Sequence, residues 1–249
     1  MLKVNQLSIE INEKRIVDSS SFFVPRGRIT SIIGESGSGK SMTVSALLDI
    51  LPAGSNATGQ ALFANKNLLT LSDKEMSTIR GSQIFTIFQD AANSFNPSVK
   101  MGKQLYEFTG RRIQDGVTEF QAKMDDILND LGLSKEIMEQ YPFELSGGML
   151  QRCMIACALY VEPELLIADE PTSALDTILQ KEFIDLLKEL NEKQGTTILL
   201  ITHDLDIAAE VADEMVVMHK GKVVETGTVT ELFERPKNAY TKRLLESRF

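Results

Sequence analysis

No stretch of this sequence approaches the roughly eighteen consecutive apolar residues that a membrane-spanning helix needs. The opening Met1-Leu2-Lys3-Val4-Asn5 has no apolar core of the signal-peptide kind, so a cytosolic protein is expected, one still able to dock on a membrane partner. Internal repeats, low-complexity tracts and sustained heptads are missing as well. Positive charge is in short supply. The 26 Lys and Arg stand against 35 Asp and Glu, a formal net charge of -9, which argues against nucleic acid as a partner because counterion release needs clustered cations. Cysteine is scarce too. Cys153 and Cys157 lie four apart on a predicted helix, and the two histidines, His203 and His219, are distant in sequence. A metal or redox centre needs more ligands nearby, so both thiols are expected to be buried small apolar groups.

What is present is the balance of an ordinary soluble globular protein, 43% hydrophobic and 24% charged. Its 249 residues suffice for one large domain or a domain with a sizeable insertion. The most informative stretch is Gly34-Glu35-Ser36-Gly37-Ser38-Gly39-Lys40-Ser41, which fits the phosphate-binding pattern G-x-x-x-x-G-K-[ST]. Ile29, Ile32 and Ile33 predict a buried strand before it. Val44, Leu47, Leu48 and Leu51 recur at helical spacing after it, until Pro52. Strand, glycine loop and helix are what the chemistry requires. Glycines let successive N–H groups turn inward around phosphate oxygens, and the helix start adds free donors and a positive dipole end. Lys40 would bring its charge to the β- and γ-phosphates, and the Ser41 hydroxyl can ligate Mg²⁺.

Along the chain, residues 2–33 predict antiparallel strands, with Leu7 and Ile9 alternating with polar neighbours and a polar turn from Asn12 to Arg15. Ala61-Leu62-Phe63 and Leu68-Leu69 predict further β structure. Ser72 with Glu75, Thr118 with Gln121, and Thr228 with Glu231 read as helix caps. Ile84 to Phe88 predict a strand ending at Gln89. From Asp90 to about 160 only helical patterns occur, among them Phe120, Met124, Ile127, Leu128 and Leu131. Strands and helices then alternate, with Leu165-Leu166-Ile167-Ala168 and Thr197 to Ile201 as strands. The expected fold is α/β: a mostly parallel sheet with helices on both faces.

Two later stretches narrow the chemistry. Leu165 to Ala168 runs straight into Asp169-Glu170, and a buried strand ending in two carboxylates is costly unless they meet a cation. Asp169 is placed to hold Mg²⁺ through water, and Glu170 to polarise a water attacking the γ-phosphate. Leu145-Ser146-Gly147-Gly148 opens a predicted helix and forms a second anion site. One nucleotide cannot use two distant anion sites of one chain, so two chains are expected to face each other and share it.

Together these motifs resemble the ATP-binding-cassette (ABC) ATPases over essentially the whole chain. The matching positions are the phosphate loop at 34–41, Gln89 as switch glutamine, the signature at 145–148, Asp169-Glu170, Ser173-Ala174-Leu175-Asp176 as the loop crossing a dimer interface, and His203 as switch histidine. The resemblance implies a P-loop NTPase core of the RecA/F1 type with an N-terminal antiparallel β subdomain and an inserted all-helical subdomain. The core would take 1–89 and 161–249, and the helical subdomain 90–160. It implies ATP and Mg²⁺ as cofactors, with Ser41, Gln89 and Asp169 at the metal. Lys40 and Ser41 of one protomer would grip ATP while Ser146, Gly147 and Gly148 of the other close over its γ-phosphate. Glu170, His203 and Gln89 would form the catalytic set. Two departures stand out. Met149 replaces a common Gln after the signature, with Gln151-Arg152 intact. Ile11 stands near the position where many members stack an aromatic on adenine.

Phe88-Gln89-Asp90, Asn96-Pro97, Tyr141-Pro142-Phe143-Glu144 and Pro236 with Ala239 to Leu245 resemble importers of oligopeptides, nickel and metal-chelator complexes. Ala91 stands where that group often has Pro, and ending at Phe249 would leave out the longer C-terminal extension common in it. The resemblance implies a subunit on the cytoplasmic face of the membrane, paired with itself or a related cassette and bound to two permeases. An extracytoplasmic binding protein would be an indirect partner. Phe95, Tyr106, Phe108 and Glu144 are candidates for the permease groove. The cargo is open between nickel, cobalt or zinc, a metal chelate, and a short peptide. An ABC ATPase of repair or translation type is the alternative, but the former needs a coiled coil or zinc module before the signature and the latter two ATP sites in one chain.

Overall fold

The computed structural model describes residues 1–89, 92–173 and 176–246. In chain order its strands and α-helices are β1 (Leu2–Ile11), β2 (Lys14–Val24), β3 (Ile29–Ile33), α1 (Lys40–Leu47), β4 (Ser55–Phe63), β5 (Lys66–Asn67), α2 (Asp73–Ser77), β6 (Ile84–Ile87), α3 (Met101–Phe108), α4 (Gly110–Ile113), α5 (Val117–Asp130), α6 (Gly147–Val161), β7 (Leu165–Asp169), α7 (Thr177–Gln194), β8 (Thr197–Ile201), α8 (Leu205–Val211), β9 (Glu214–His219), β10 (Lys222–Thr228), α9 (Val229–Glu234) and α10 (Ala239–Glu246). They form two compact units, Met1–Ser77 with Gly195–Phe249, and Thr78–Gln194.

In the first unit, β1 pairs antiparallel with β2 and β4, and β5 joins the far edge of β4. Val4 and Leu7 are both buried although three residues apart. A bulge with Gln6 at φ 47° absorbs the extra residue, and Gly59 opposite leaves room, since a Cβ there would lie 2.4 Å from the Gln6 carbonyl oxygen. The first turn is tighter than the sequence predicts. Asn12 and Glu13 alone make it, both at positive φ, while Lys14 and Arg15 already belong to β2. Leu68 and Leu69 are a 3₁₀ turn rather than strand, because the Asn67 carboxamide oxygen accepts from the Leu69 N–H and curls the chain.

The same unit holds a second set of strands. β3 lies parallel between β8 and β9, and β10 returns antiparallel on β9. All five residues of β3 are buried, as expected of a strand flanked on both edges and covered on both faces. Ile33, Met215 and Val217 pack with Leu205 and Ala208 of α8, Leu232 of α9 and Tyr240 of α10. The caps at Ser72 and Thr228 form with their reciprocal Glu75 and Glu231 bonds.

In the second unit β6 and β7 pair in parallel, Ile84 with Leu165 through Ile87 with Ala168. Between them, among the described residues, there are only helices and turns. α5 buries Phe120, Met124 and Leu128. Its start is not the predicted cap: Gly116 is the N-cap residue and Thr118 lies inside the first turn, two residues too late for its hydroxyl to cap. α6 is apolar nearly all round and buries both Cys153 and Cys157. α7 buries Phe183, Ile184, Leu187 and Leu190 along one face.

Candidate functional site

In the first unit, β3 delivers the chain into the phosphate loop and α1 receives it. Gly34 stands at φ 150°, and a Cβ there would lie 2.1 Å from the Met218 carbonyl oxygen at the end of β9. Gly39, at φ 105°, precedes α1 with Val17 and the Ile16 carbonyl behind it. Glycine is therefore required by lack of space at position 34 and favoured by the positive φ at position 39. Glu35, Ser36, Gly37 and Ser41 are exposed, whereas Gly34, Ser38, Gly39 and Lys40 are buried. The Lys40 ammonium folds back over the loop and donates to the carbonyls of Gly34 (2.8 Å) and Glu35 (3.2 Å). The Ser38 carbonyl accepts from the Gly221 N–H at 2.9 Å, and the Ser38 hydroxyl is buried without a hydrogen-bond partner. A buried hydroxyl so placed is costly. A phosphate oxygen in the loop would satisfy it, so the residues present fit a nucleotide.

His203 is reached from the same strand ends. Ile32 pairs with Ile201, and the Thr202 N–H donates to the Ile32 carbonyl at 3.2 Å. Thr202 then accepts from Asp204 N–H and Asp204 caps α8, which leaves His203 exposed in the turn between them. Ile11 is half-buried at the mouth of the first hairpin, paired with Lys14 and Ser55. Atoms of Ile16 and Val17 are the ones from this hairpin that pack against Gly39.

In the second unit, parallel pairing brings Phe88-Gln89 and Asp169-Glu170 off the same end of β6 and β7. Gln89 is exposed, and both acids are half-buried. Glu170 stands at φ 48°. The N–H and hydroxyl of Ser173 donate to its carbonyl at 3.3 Å and 3.1 Å. Ser146 caps α6, its hydroxyl accepting from the Met149 N–H at 3.3 Å, so Met149 keeps the backbone contact although its side chain departs from the family pattern. Space around Gly147 is open. A Cβ on Gly148 would meet Leu179 of α7 at 3.0 Å. The Gln151 carboxamide donates to the Pro171 carbonyl and Arg152 pairs with Glu182. These contacts tie the signature helix to the segment after Glu170, a link the sequence reading did not foresee. Ala174 and Leu175 of the interface loop, and Asp90 and Ala91 after Gln89, lie outside the described residues, as does Phe249.

Of the groove candidates, Phe95 is buried against Phe108, ring centroids 5.8 Å apart, and Tyr106 packs edge-on to Phe120. Core packing accounts for Phe95, while Tyr106 and Phe108 remain half-buried. The strongly exposed aromatic of this region is Phe143, 73% accessible and stacked on Tyr141, with the Glu144 carboxylate accepting from the Tyr141 N–H. Burial pushes the Cys153 thiol up to about 12 and the Cys157 thiol well above its ordinary value, as expected of inert packing groups. Also unforeseen is Tyr240, whose hydroxyl accepts from the Glu35 N–H.

No helix among the described residues is long and apolar enough to cross a membrane. The family described as ABC transporter matches residues 17–173. The chain is 41% identical to the oligopeptide transport ATP-binding protein OppD of Bacillus subtilis, over 99% of this chain and 71% of that protein. It is 43% identical to the dipeptide transport ATP-binding protein DppD of the same organism, over 91% and 69%. Among solved structures it resembles the dimeric post-hydrolysis state of the cassette MJ0796 bound to ADP and Pi, at 26% identity and a TM-score of 0.80, covering 92% of this chain and 99% of that one. It also resembles cbiO1 from Clostridium perfringens, at 30% identity and a TM-score of 0.79, covering 94% and 91%. With its phosphate loop, strand-end carboxylates and capped signature helix in place, the chain belongs to the ABC transporter family, as a nucleotide-binding ATPase domain with the P-loop NTPase fold.

Proposed function

We propose that this chain is the ATP-hydrolysing subunit of an importer for short peptides, held on the cytoplasmic face of a membrane by two permeases and served indirectly by an extracytoplasmic binding protein. The observation that carries the reading is similarity along 99% of the chain to an oligopeptide transport ATP-binding protein. The peptide names of the relatives favour peptides over nickel, cobalt, zinc or metal chelates as cargo.

The working unit is a pair of cassettes, two copies or one with a related partner. Amides of Gly37, Ser38 and Gly39 cradle the β-phosphate, Gly34 to Ser36 lead into the cradle, and Lys40 moves from its two carbonyls to the β- and γ-phosphates. Ile11 packs on the base. Ser146, Gly147 and Gly148 of the opposite subunit close over the γ-phosphate. Mg²⁺, when bound, neutralises phosphate charge; Ser41, Gln89 and Asp169 carry the oxygen ligands suited to it. Glu170 takes the proton of the attacking water, and His203 holds Glu170 and the γ-phosphate in register. Residues 90–160 are the helical subdomain that receives the permease, with 1–89 and 161–249 as the nucleotide core.

The test is hydrolysis by the chain co-assembled with its permeases. Peptide delivered with the binding protein is expected to stimulate turnover, and Ser146→Arg in both cassettes to abolish it. Stimulation by a metal chelate but not by peptide would overturn the cargo. Full, concentration-independent turnover from a lone Ser146→Arg chain would overturn the shared site.

A further inference from the structure

The fold carries one side chain of the stretch from Ala239 to Leu245 to the phosphate loop. Tyr240 lies on α10 and is 7% accessible, packed with Ile33, Met215 and Val217. Its ring stacks on His219, the last residue of β9, with centroids 3.8 Å apart and planes at 26°. Its place on the helix is set as well: the Asn238 side chain accepts from the Tyr240 N–H at 2.8 Å, and Glu225 of β10 accepts from the N–H groups of Lys237 and Asn238. From this seat the Tyr240 hydroxyl accepts from the Glu35 N–H at 3.2 Å. Burial raises the phenol above its ordinary value, which keeps it neutral through the physiological range.

The Glu35 N–H and the Gly34 carbonyl are the two ends of one planar peptide group. Tyr240 holds the first end, and Lys40 Nζ donates to the second at 2.8 Å. One rigid plane thus connects a side chain near the C-terminal end to the lysine of the phosphate loop. We propose that Tyr240 is a positioning residue for nucleotide binding: its hydroxyl fixes the Gly34–Glu35 peptide plane, and with it the entry of the loop and the resting place of Lys40. Without the hydroxyl the ring still fills its seat, but the plane is held only at its Gly34 carbonyl, by Lys40, the group that must leave when nucleotide arrives, so the loop pays more of its ordering on binding. Tyr240 touches neither water nor γ-phosphate in this scheme, so it governs binding and leaves the chemical step alone.

The proposal rests on the reading of the loop as the ATP site, and the experiment separates the two. Nucleotide affinity is measured with a fluorescent ATP analogue on the whole chain, alongside KM and kcat for hydrolysis by the assembled transporter. Tyr240→Phe is expected to raise Kd and KM about three- to tenfold, the weight of one hydrogen bond, with kcat unchanged. Leu245→Ala, which trims the packing of α10 without touching the hydroxyl, is expected to lower Tm and leave Kd in place. Lys40→Ala is expected to abolish binding. Wild-type affinity in Tyr240→Phe, with Lys40→Ala dead, overturns the positioning role alone. An equal rise in Kd for Leu245→Ala also overturns it, since helix stability would then be the cause. Wild-type affinity in Lys40→Ala overturns the reading of the site and the proposal with it.

Discussion

Ser173 closes a turn on Glu170 by donating both its N–H (3.3 Å) and its hydroxyl (3.1 Å) to the Glu170 carbonyl, with Glu170 itself at φ 48°. The backbone of the acid is thus held by hydrogen bonds that do not involve its carboxylate. Glu170→Gln is expected to keep this turn, fold normally and bind ATP, while hydrolysis falls roughly 10²–10⁴-fold and the paired, closed state accumulates. Turnover and sizing in the presence of ATP check it; unchanged turnover would mean that another group activates the water.

The two outermost glycines of the loop that take positive φ before Gly39 have different reasons to be glycine. Gly34→Ala would drive a methyl into the Met218 carbonyl, 2.1 Å away, and is expected to cost at least about 3 kcal/mol. Gly37 has φ 78° but open space, so Gly37→Ala is expected to cost only about 1 kcal/mol. Urea unfolding of both variants decides this, and equal losses would contradict it.

Stability is expected to decline in alkali through Cys153. Its thiol ionises near 9 in the unfolded chain and at about 12 in the fold, so above pH 9 the unfolded state sheds a proton that the folded state keeps. The contribution is intact below about pH 9 and is lost progressively as pH rises toward 12. Denaturation between pH 8 and 10.5 should show a shallower decline in Cys153→Ala than in the parent. Thiol reagents should label the native protein only as fast as it opens.

In the proposed site the aliphatic Ile11 packs on the base without ring stacking, so ATP and GTP are expected to turn over at comparable rates. Ile11→Tyr should favour ATP by about two- to tenfold, the equivalent of ~0.5–1.5 kcal/mol of stacking. A strict preference for ATP in the parent chain would place the base elsewhere.

The parts of the site legible in the sequence are those whose partners are near in the chain. The phosphate loop announces itself because β3, the glycines and α1 are contiguous, and Asp169-Glu170 because β7 leads straight into them. Other features depend on pairings the linear order hides. The Gln6 bulge is set by Gly59 on a neighbouring strand. Thr118 matches a cap pattern, but the cap position falls two residues earlier, on Gly116, a shift that periodicity does not resolve. Tyr240 and Glu35 are brought together across 205 positions by the way α10 packs back over β3 and β9.

Gly221 shows where this leads. Its N–H holds Ser38, its carbonyl takes bonds from Asp18 and Ser20, and a Cβ on it would sit 2.4 Å from the Ile16 carbonyl oxygen. A substitution at this hairpin turn would therefore reach the triphosphate cradle as a geometric fault, although in sequence it lies far from any residue that a motif search flags. Variants damaged there would pass every sequence check for an intact ATPase and still fail to hold their fuel.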